Sequence, residues 1–380
     1  MIPRLFFPAL AAFLTALCVS HPALSEAPAP PPVAARAWVL MDTASRQTLT
    51  AGSEHERVEP ASLTKLMTAY LTFSALNAKS LQLAQTVPVS QRAGRAQGSR
   101  MFIEPGKPVT VQELIHGMIV QSGNDACVAL AEAIAGSEEA FVQLMNRAAQ
   151  RLGMKDTNFV NASGLPDPGH YSSAHDMALL AAALIREFPD YYHYYSVREY
   201  RYNNISQRNR NRLLWLDPSV DGVKTGHTKS AGYCLIASAK RGRTRMLSVV
   251  LGTASDHVRA QESQKLLNFG FQFYDSVRLF ERGQTVSTVR VWKGSQRVLK
   301  AGLADDLSVS VPKGMAGKVK AEFVSRQPLL APVSAGQRVG TLRVTLESVQ
   351  IGEYSVIAQE QVALAGVFQR AWDTVRLWFQ

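Results

Sequence analysis

Pro60-Ala61-Ser62-Leu63-Thr64-Lys65-Leu66-Met67-Thr68 opens the clearest helical pattern in the chain. Leu63, Leu66, Met67, Tyr70, Leu71 and Phe73 give residues 62 to about 76 a broad apolar face. That is the pattern of a helix buried at the centre of a domain. Ser62 and Lys65 stand at i and i+3, on one face and within reach of each other. A serine hydroxyl needs a base to act as a nucleophile. A lysine among Leu63, Leu66 and Met67 can be that base, because burial disfavours its ammonium form. A helix N-terminus also offers free N–H groups and a positive dipole end to a developing oxyanion. Taken alone, Ser62 reads more simply as a helix cap. A second Ser-x-x-Lys, Ser310-Val311-Pro312-Lys313, holds a proline in a strand-like run and cannot form a helical turn.

Elements predicted around this helix define a domain. Residues 37–51 read as a hairpin and 85–108, rich in Gly, Pro and Arg, as a long loop. Helical patterns follow at 110–120, 124–135, 138–152 and 173–187. Two apolar runs, 233–239 and 246–252, flank the turn Lys240-Arg241-Gly242-Arg243 and predict an antiparallel hairpin. A last helix is expected at about 257–275. Helices inserted between one hairpin and a later one indicate an α+β fold. From about residue 282 short Val-rich runs separated by Gly and Pro predict a small all-β domain. Residues 364–380 return to helical spacing, with Leu364, Phe368, Trp372, Trp378 and Phe379 opposite Gln369, Arg370, Asp373 and Arg376. Aromatic residues at the end of such a helix suit a membrane interface, and the segment is too short and polar to span. The alternative is a helix docked on the β domain.

Two further motifs carry chemistry. Ser122-Gly123-Asn124 falls between two helical patterns, where a tight turn can point side chains into a cleft. Ser122 could relay a proton with Lys65, and the Asn124 amide could bond a substrate carbonyl. The plainer reading is a turn with a helix cap. Lys224-Thr225-Gly226-His227-Thr228 precedes the second hairpin. Lys224 and Thr225 suit a terminal carboxylate. Gly226 would let an extended substrate lie along the strand edge. The His227 N–H could complete an oxyanion hole with that of Ser62. Three such motifs in this order make separate structural accidents a poor explanation.

The whole chain narrows the setting. Its 380 residues, 46% hydrophobic and 19% charged, are an ordinary globular composition of about two domains. Net charge is +11 and the pI 9.7, which favours anionic partners. Met1-Ile2-Pro3-Arg4, the apolar run to Ser20 and Ala23-Leu24-Ser25 read as a secretory signal over residues 1–25. Export argues against nucleic acid as a partner. Cys127 and Cys234 remain after its removal and are expected as buried thiols. A Pro/Ala linker, 26–36, precedes a catalytic domain at 37–278, a β-rich domain at 279–361 and an amphipathic membrane-anchoring helix at 362–380.

With these residues in place the chain resembles the low-molecular-mass penicillin-binding proteins, serine-type D-alanyl-D-alanine carboxypeptidases. The Ser-x-x-Lys, Ser-x-Asn and Lys-Thr-Gly set marks penicillin-binding proteins and class A β-lactamases. The likeness extends through Ser122-Gly123-Asn124-Asp125-Ala126-Cys127, Asn209-Arg210-Asn211 and Asp221-Gly222-Val223-Lys224-Thr225-Gly226-His227-Thr228, over roughly 36–365. The resemblance implies a penicillin-recognising serine transpeptidase/β-lactamase-like domain of antiparallel sheet and helices, followed by the β-rich domain and the terminal helix. It implies catalysis by Ser62, Lys65 and Ser122. Substrate binding falls to Asn124, Lys224, Thr225, Gly226, His227 and Arg259, the last near the carboxylate end of the site. Implied partners are peptidoglycan stem peptides, β-lactams as acylating inhibitors, and the membrane surface, at the periplasmic face of the inner membrane. No cofactor or metal is expected.

Rival readings are a D,D-endopeptidase that cuts cross-links, a non-catalytic wall-binding protein and a zinc peptidase. The last lacks His-Glu-x-x-His; only His170, His175 and Asp176 approach a ligand set. A β-lactamase of class A would need a deacylating glutamate, and none stands between Glu139 and Glu187. Tyr191–Tyr195 is expected to pack a helix corner, and Arg92, Arg95 and Arg100 to be solvated or to border the cleft.

Overall fold

The computed structural model describes residues 29–379. The signal-peptide expectation, 1–25, lies outside them. Five strands form one antiparallel sheet: β1 (Ala37–Asp42), β2 (Gln47–Gly52), β3 (Val220–Thr228), β4 (Gly232–Arg241) and β5 (Thr244–Thr253). Their order is β2-β1-β5-β4-β3, so β3 is an edge.

Both faces of this sheet are covered, which explains its unbroken apolar runs. Successive side chains point to opposite faces. Val39, Met41, Ile236, Val249 and Leu251 join the larger core. That core is shared with α1 (Lys65–Asn77), α2 (Val111–Val120), α3 (Asn124–Ala135), α4 (Glu138–Leu152) and α5 (Ala174–Glu187). Leu40, Leu235, Ala237, Met246 and Val250 face the other way, against Ala260, Leu266, Leu267 and Phe269 of α6 (Asp256–Phe273). Helix α1 is buried around its circumference, from Leu66 and Met67 to Tyr70 and Phe73.

The helix boundaries expected from periodicity agree closely with those observed. The start of the first one differs. Residues Ala61–Thr64 form a single 3-10 turn, and the α-helix begins at Lys65. Strand β3 extends further back than the sequence suggested, because Val220 to Thr228 pairs with β4 over its length. The stretch 85–108 contains a two-residue strand, Thr86–Val87, and a short helix, Gln91–Gly94. A hairpin of Glu199–Tyr202 and Ile205–Arg208 was not foreseen; Glu199-Tyr200-Arg201-Tyr202 alternates as a strand should, but over four residues only, and its partner Ile205–Arg208 carries a single apolar residue.

The second module is all-β. Tyr274–Phe280 pairs with Leu307–Pro312, and six further strands form an antiparallel-dominated sheet around Val289, Val291, Leu299, Val309, Leu342 and Val356. The expected boundary at 278/279 falls inside the strand Tyr274–Phe280. That strand follows α6 directly and belongs, by its pairing, to the second module. The decoy residue Ser310 ties the two modules together. Its N–H donates to Gln47 Oε1 at 2.6 Å and its hydroxyl to Asp42 Oδ2 at 2.5 Å.

The chain ends in α7 (Val367–Leu377), none of whose residues is buried. The Lys293 N–H donates to Asp373 at 2.7 Å, while Phe368, Trp378 and Phe379 are 93%, 84% and 86% exposed. No helix among the described residues is long and apolar enough to cross a membrane.

Candidate active site

The three motifs converge between the Ser62 turn, the start of α3 and the edge strand β3. Ser62 sits in the 3-10 turn after Pro60, where the Leu63 N–H donates to the Pro60 carbonyl at 3.1 Å. Ala61 is held at φ 48°, a left-handed conformation, and Ser62 beside it is half-buried. One residue after the turn, Lys65 is 1% exposed. Its Nζ donates to Ser62 Oγ at 3.0 Å and to the Ser163 carbonyl at 2.6 Å. Burial lowers its pKa to about 8, and the positive charge of Arg210 adds to the effect.

Ser122 also has a left-handed backbone, φ 61°. For a residue other than glycine that conformation costs on the order of 1 kcal/mol and persists only where the surroundings enforce it. Here the enforcement comes from Asp125. Its buried carboxylate accepts the N–H groups of Met101, Phe102 and Ile103 at 3.0, 2.8 and 3.3 Å. These bonds clamp the incoming 99–103 segment against the Ser122-Gly123 turn. Ser122 Oγ accepts from Lys224 Nζ at 2.9 Å, so its partner is Lys224 rather than Lys65. Asn124, at the first position of α3, donates one amide N–H to the Gln97 carbonyl at 2.6 Å.

Lys224 is buried in β3 and also donates to the Thr225 carbonyl at 3.1 Å. Burial holds its pKa well below the usual lysine value, and Lys65 and Arg210 push it the same way. Thr225 is buried beside it, and His227 is exposed with its ring 4.0 Å from that of Tyr233. Gly226 has a structural reason to be glycine. A Cβ there would lie 3.1 Å from the Pro60 carbonyl oxygen and 3.3 Å from Ala61 Cβ. The bare backbone therefore receives the Ser62 turn, where the sequence suggested room for a substrate. Arg259 reaches β3 from α6. It donates to the Gly226 and Cys234 carbonyls at 3.1 and 3.4 Å and is paired with Asp256. Its visible work is to hold the strand and to add positive charge behind it.

Several participants were not selected from the sequence. Arg210 lies within electrostatic reach of Lys65 and Lys224 and donates to Ser99 Oγ at 2.9 Å. Its signal was the Asn209-Arg210-Asn211 stretch. Asn211 in turn donates to the Gly222 carbonyl at 2.9 Å and fixes the start of β3. Ser163 acts through a backbone carbonyl, which leaves no mark in residue type. It is held by Asn161 Oδ1, which accepts the N–H groups of Ser163, Gly164 and Leu165 at 3.2, 2.7 and 3.1 Å. Gly164 has φ +86°, and a Cβ there would meet the Ala61 carbonyl oxygen at 1.8 Å. His170 bonds Thr64 Oγ1 through Nε2 at 2.7 Å and accepts the Val160 N–H on Nδ1 at 3.2 Å. It is thus a structural, neutral histidine with Nε2 protonated, its pKa lowered by burial to about 4.

Cys127 and Cys234 are free and buried, their thiols pushed up to about 12 and about 11 by burial. No group of His, Cys, Asp and Glu suited to a metal ion occurs among the described residues. Tyr192, Tyr194 and Tyr195 pack into the core beside α5. A cavity of about 1540 Å³ between Arg186, Lys240, Asp275 and Asp306 contains none of the motif residues. The arrangement can activate a serine, receive an oxyanion at the Ser62 turn and attract a carboxylate.

Comparison with known proteins places the whole chain in a family. The family model described as D-alanyl-D-alanine carboxypeptidase matches residues 24–255. The one described as penicillin-binding protein 5, C-terminal domain, matches residues 274–364. D-alanyl-D-alanine carboxypeptidase DacC of Escherichia coli (strain K12) is 44% identical over 357 residues, 92% of this chain and 89% of that protein. Penicillin-binding protein 5 from Haemophilus influenzae superposes with a TM-score of 0.83 at 40% identity, over 88% of this chain and 99% of that one. Penicillin-binding protein D2 from Listeria monocytogenes, solved in the ampicillin-bound form, superposes with a TM-score of 0.59 at 30% identity, over 64% and 99%.

Proposed function

The chain belongs to the D-alanyl-D-alanine carboxypeptidase family and is a penicillin-binding, serine-type carboxypeptidase, and from that premise we propose how its residues share the reaction. Ser62 attacks the carbonyl between the two terminal D-alanines of a peptidoglycan stem. With a pKa of about 8, about a tenth of Lys65 is neutral at pH 7. Its lone pair then takes the Ser62 proton across the 3.0 Å contact, while an N–H keeps the bond to Ser163. The Ser62 and His227 N–H groups receive the oxyanion. Lys224 passes a proton through Ser122 to the departing amine, and Asn124 holds the substrate backbone. Lys224, Thr225 and the field of Arg210 and Arg259 attract the terminal carboxylate. Water then releases the acyl group from Ser62.

The observation that carries this reading is a buried lysine bonded to both the serine hydroxyl and a fixed carbonyl. β-Lactams enter the same path and acylate Ser62. Glu138, in the cavity next to Asn124 and Ser163, is bonded to Arg92 and to the Ala162 N–H. It is therefore not a ready base for fast β-lactam release. The enzyme acts outside the cytoplasm, at the periplasmic face of the inner membrane, and α7 rests its aromatic side on that membrane.

The test uses the protein from residue 26 onward and a pentapeptide ending in D-Ala-D-Ala, followed by mass spectrometry. Loss of one alanine with the native protein, and none with Ser62→Ala, is the expected result. An untouched pentapeptide together with cleavage of cross-linked dimers would move the assignment to an endopeptidase.

A further inference from the structure

A cavity of about 520 Å³ adjoins the catalytic residues through Asn124 and Ser163. The two ends of the cleft are distinguishable. Lys224, Thr225 and Arg259 mark the end that takes the terminal carboxylate and the leaving alanine. None of these three lines the cavity, which is reached instead from the 159–165 loop and the start of α3, so the proposed mechanism assigns it to the part of the stem that stays on the enzyme as the acyl group.

The cavity has a definite chemical character. Val128 and Leu165 contribute apolar surface, enough to cover a short methylene chain. Two arginines line the cavity, and they differ. Arg92 is already neutralised, bonded to Glu138 at 2.7 Å and to Glu139 at 2.6 Å. Arg95 lines the same cavity, is exposed, and makes no side-chain hydrogen bond or ion pair among the described residues. A guanidinium in that position is a ready partner for a carboxylate, because its fork matches the two oxygens. Glu138 cannot fill the role, since its oxygens are held by Arg92 and Ala162.

A pentapeptide stem offers carboxylates on that side of the scissile bond. One belongs to the γ-linked glutamate at its second position. Another belongs to the third residue where that residue is a diamino acid with a side-chain carboxylate, such as diaminopimelate. We infer that Arg95 is a specificity-determining residue that reads a stem carboxylate upstream of the D-Ala-D-Ala bond. The inference rests on the carboxypeptidase reading and deepens it by naming which stems are preferred.

Four pentapeptides test it. One carries diaminopimelate with both carboxylates free, one has only the third-residue side chain amidated, one has only the glutamate amidated, and one has both amidated. The quantity measured is kcat/KM for alanine release by the native enzyme and by Arg95→Gln and Arg95→Lys. The native enzyme is expected to prefer the fully acidic stem over the doubly amidated one by about fivefold, the scale of one partly exposed charge-assisted contact. In R95Q that ratio falls to about 1, and R95K restores part of it. The singly amidated peptide that loses the preference identifies which carboxylate is read. Equal rates for all four peptides with the native enzyme overturn the inference, as does a ratio unchanged in R95Q. If no peptide loses alanine, it is the carboxypeptidase reading that fails.

Discussion

In the proposed mechanism Lys65 is the base on which the rate turns, and its protonation gives the reaction a pH signature. The neutral amine is the active form, so kcat/KM should rise about tenfold per unit below pH 8 and level off above it. Lys65→Arg keeps a cation in place but cannot deprotonate, and should lose about a thousandfold. A flat profile between pH 6 and 9 in the native enzyme would assign the base to another group. His170 gives a signature in stability instead. Its folded pKa is about 4 against 6.5 unperturbed, so the unfolded chain takes up the proton first as pH falls. Its contribution is therefore complete above pH 6.5 and declines toward pH 4, by about 3 kcal/mol in all. Thermal unfolding from pH 7 to 4.5 should show a steeper loss for the native protein than for His170→Gln; parallel slopes would assign the acid sensitivity elsewhere. These two residues also show where sequence stops informing. The Ser62–Lys65 spacing announced a shared face and a base. Nothing in the identity of His170 separated a core histidine from a ligand, because the difference lies in bonds to Thr64 and Val160 across the fold.

At the scale of elements, the site depends on two places where backbone meets backbone without a side chain between. The 159–165 loop lies on the Ser62 turn at Gly164, and the turn lies on β3 at Gly226. Gly164→Ala would combine a left-handed backbone with a steric overlap against the Ala61 carbonyl. The expected cost is about 2–4 kcal/mol, with loss of the Ser163 bond to Lys65. Gly226→Ala faces only contacts of 3.1–3.3 Å, so the fold should survive while the Ser62 turn shifts by tenths of an ångström. Its mark should be a kcat lowered by about tenfold or more with little change in melting temperature, since reacting groups tolerate small displacements poorly. A mutant that acylates with penicillin at the native rate would remove Gly226 from this role. The helices were legible because their apolar periodicity is local. The strands of the sheet alternate poorly because both faces are buried, so their extent emerges only from pairing, and β3 was seen by its motif before its register.

At the scale of the molecule, two modules and one unattached amphipathic face raise the question of how the site is presented to its substrate. The modules are joined through Ser310, Asp42 and Gln47, with Tyr274 donating to the Leu49 carbonyl at 3.4 Å. Helix α7 leaves the β module beside Lys293 and turns Phe368, Trp372, Trp378 and Phe379 outward. Such residues gain little from water and each contributes roughly 1.5–3 kcal/mol when buried. A positively charged chain adds attraction to an anionic surface, an attraction that salt weakens. Protein from residue 26 to the end of the chain should therefore sediment with anionic phospholipid vesicles and partly detach at high salt. Trp378→Ser with Phe379→Ser should weaken this by at least about tenfold while leaving alanine release from soluble pentapeptide unchanged, because among the described residues the hydrogen bonds that tie α7 and Ala365 before it to the rest of the chain go to Lys293 of the β module and not to the motif residues. Truncation after residue 365 should abolish it and preserve the bridge between Gly294 and Leu364. Binding that persists after truncation would locate the membrane-seeking surface on the β module or the catalytic domain and leave α7 without that task.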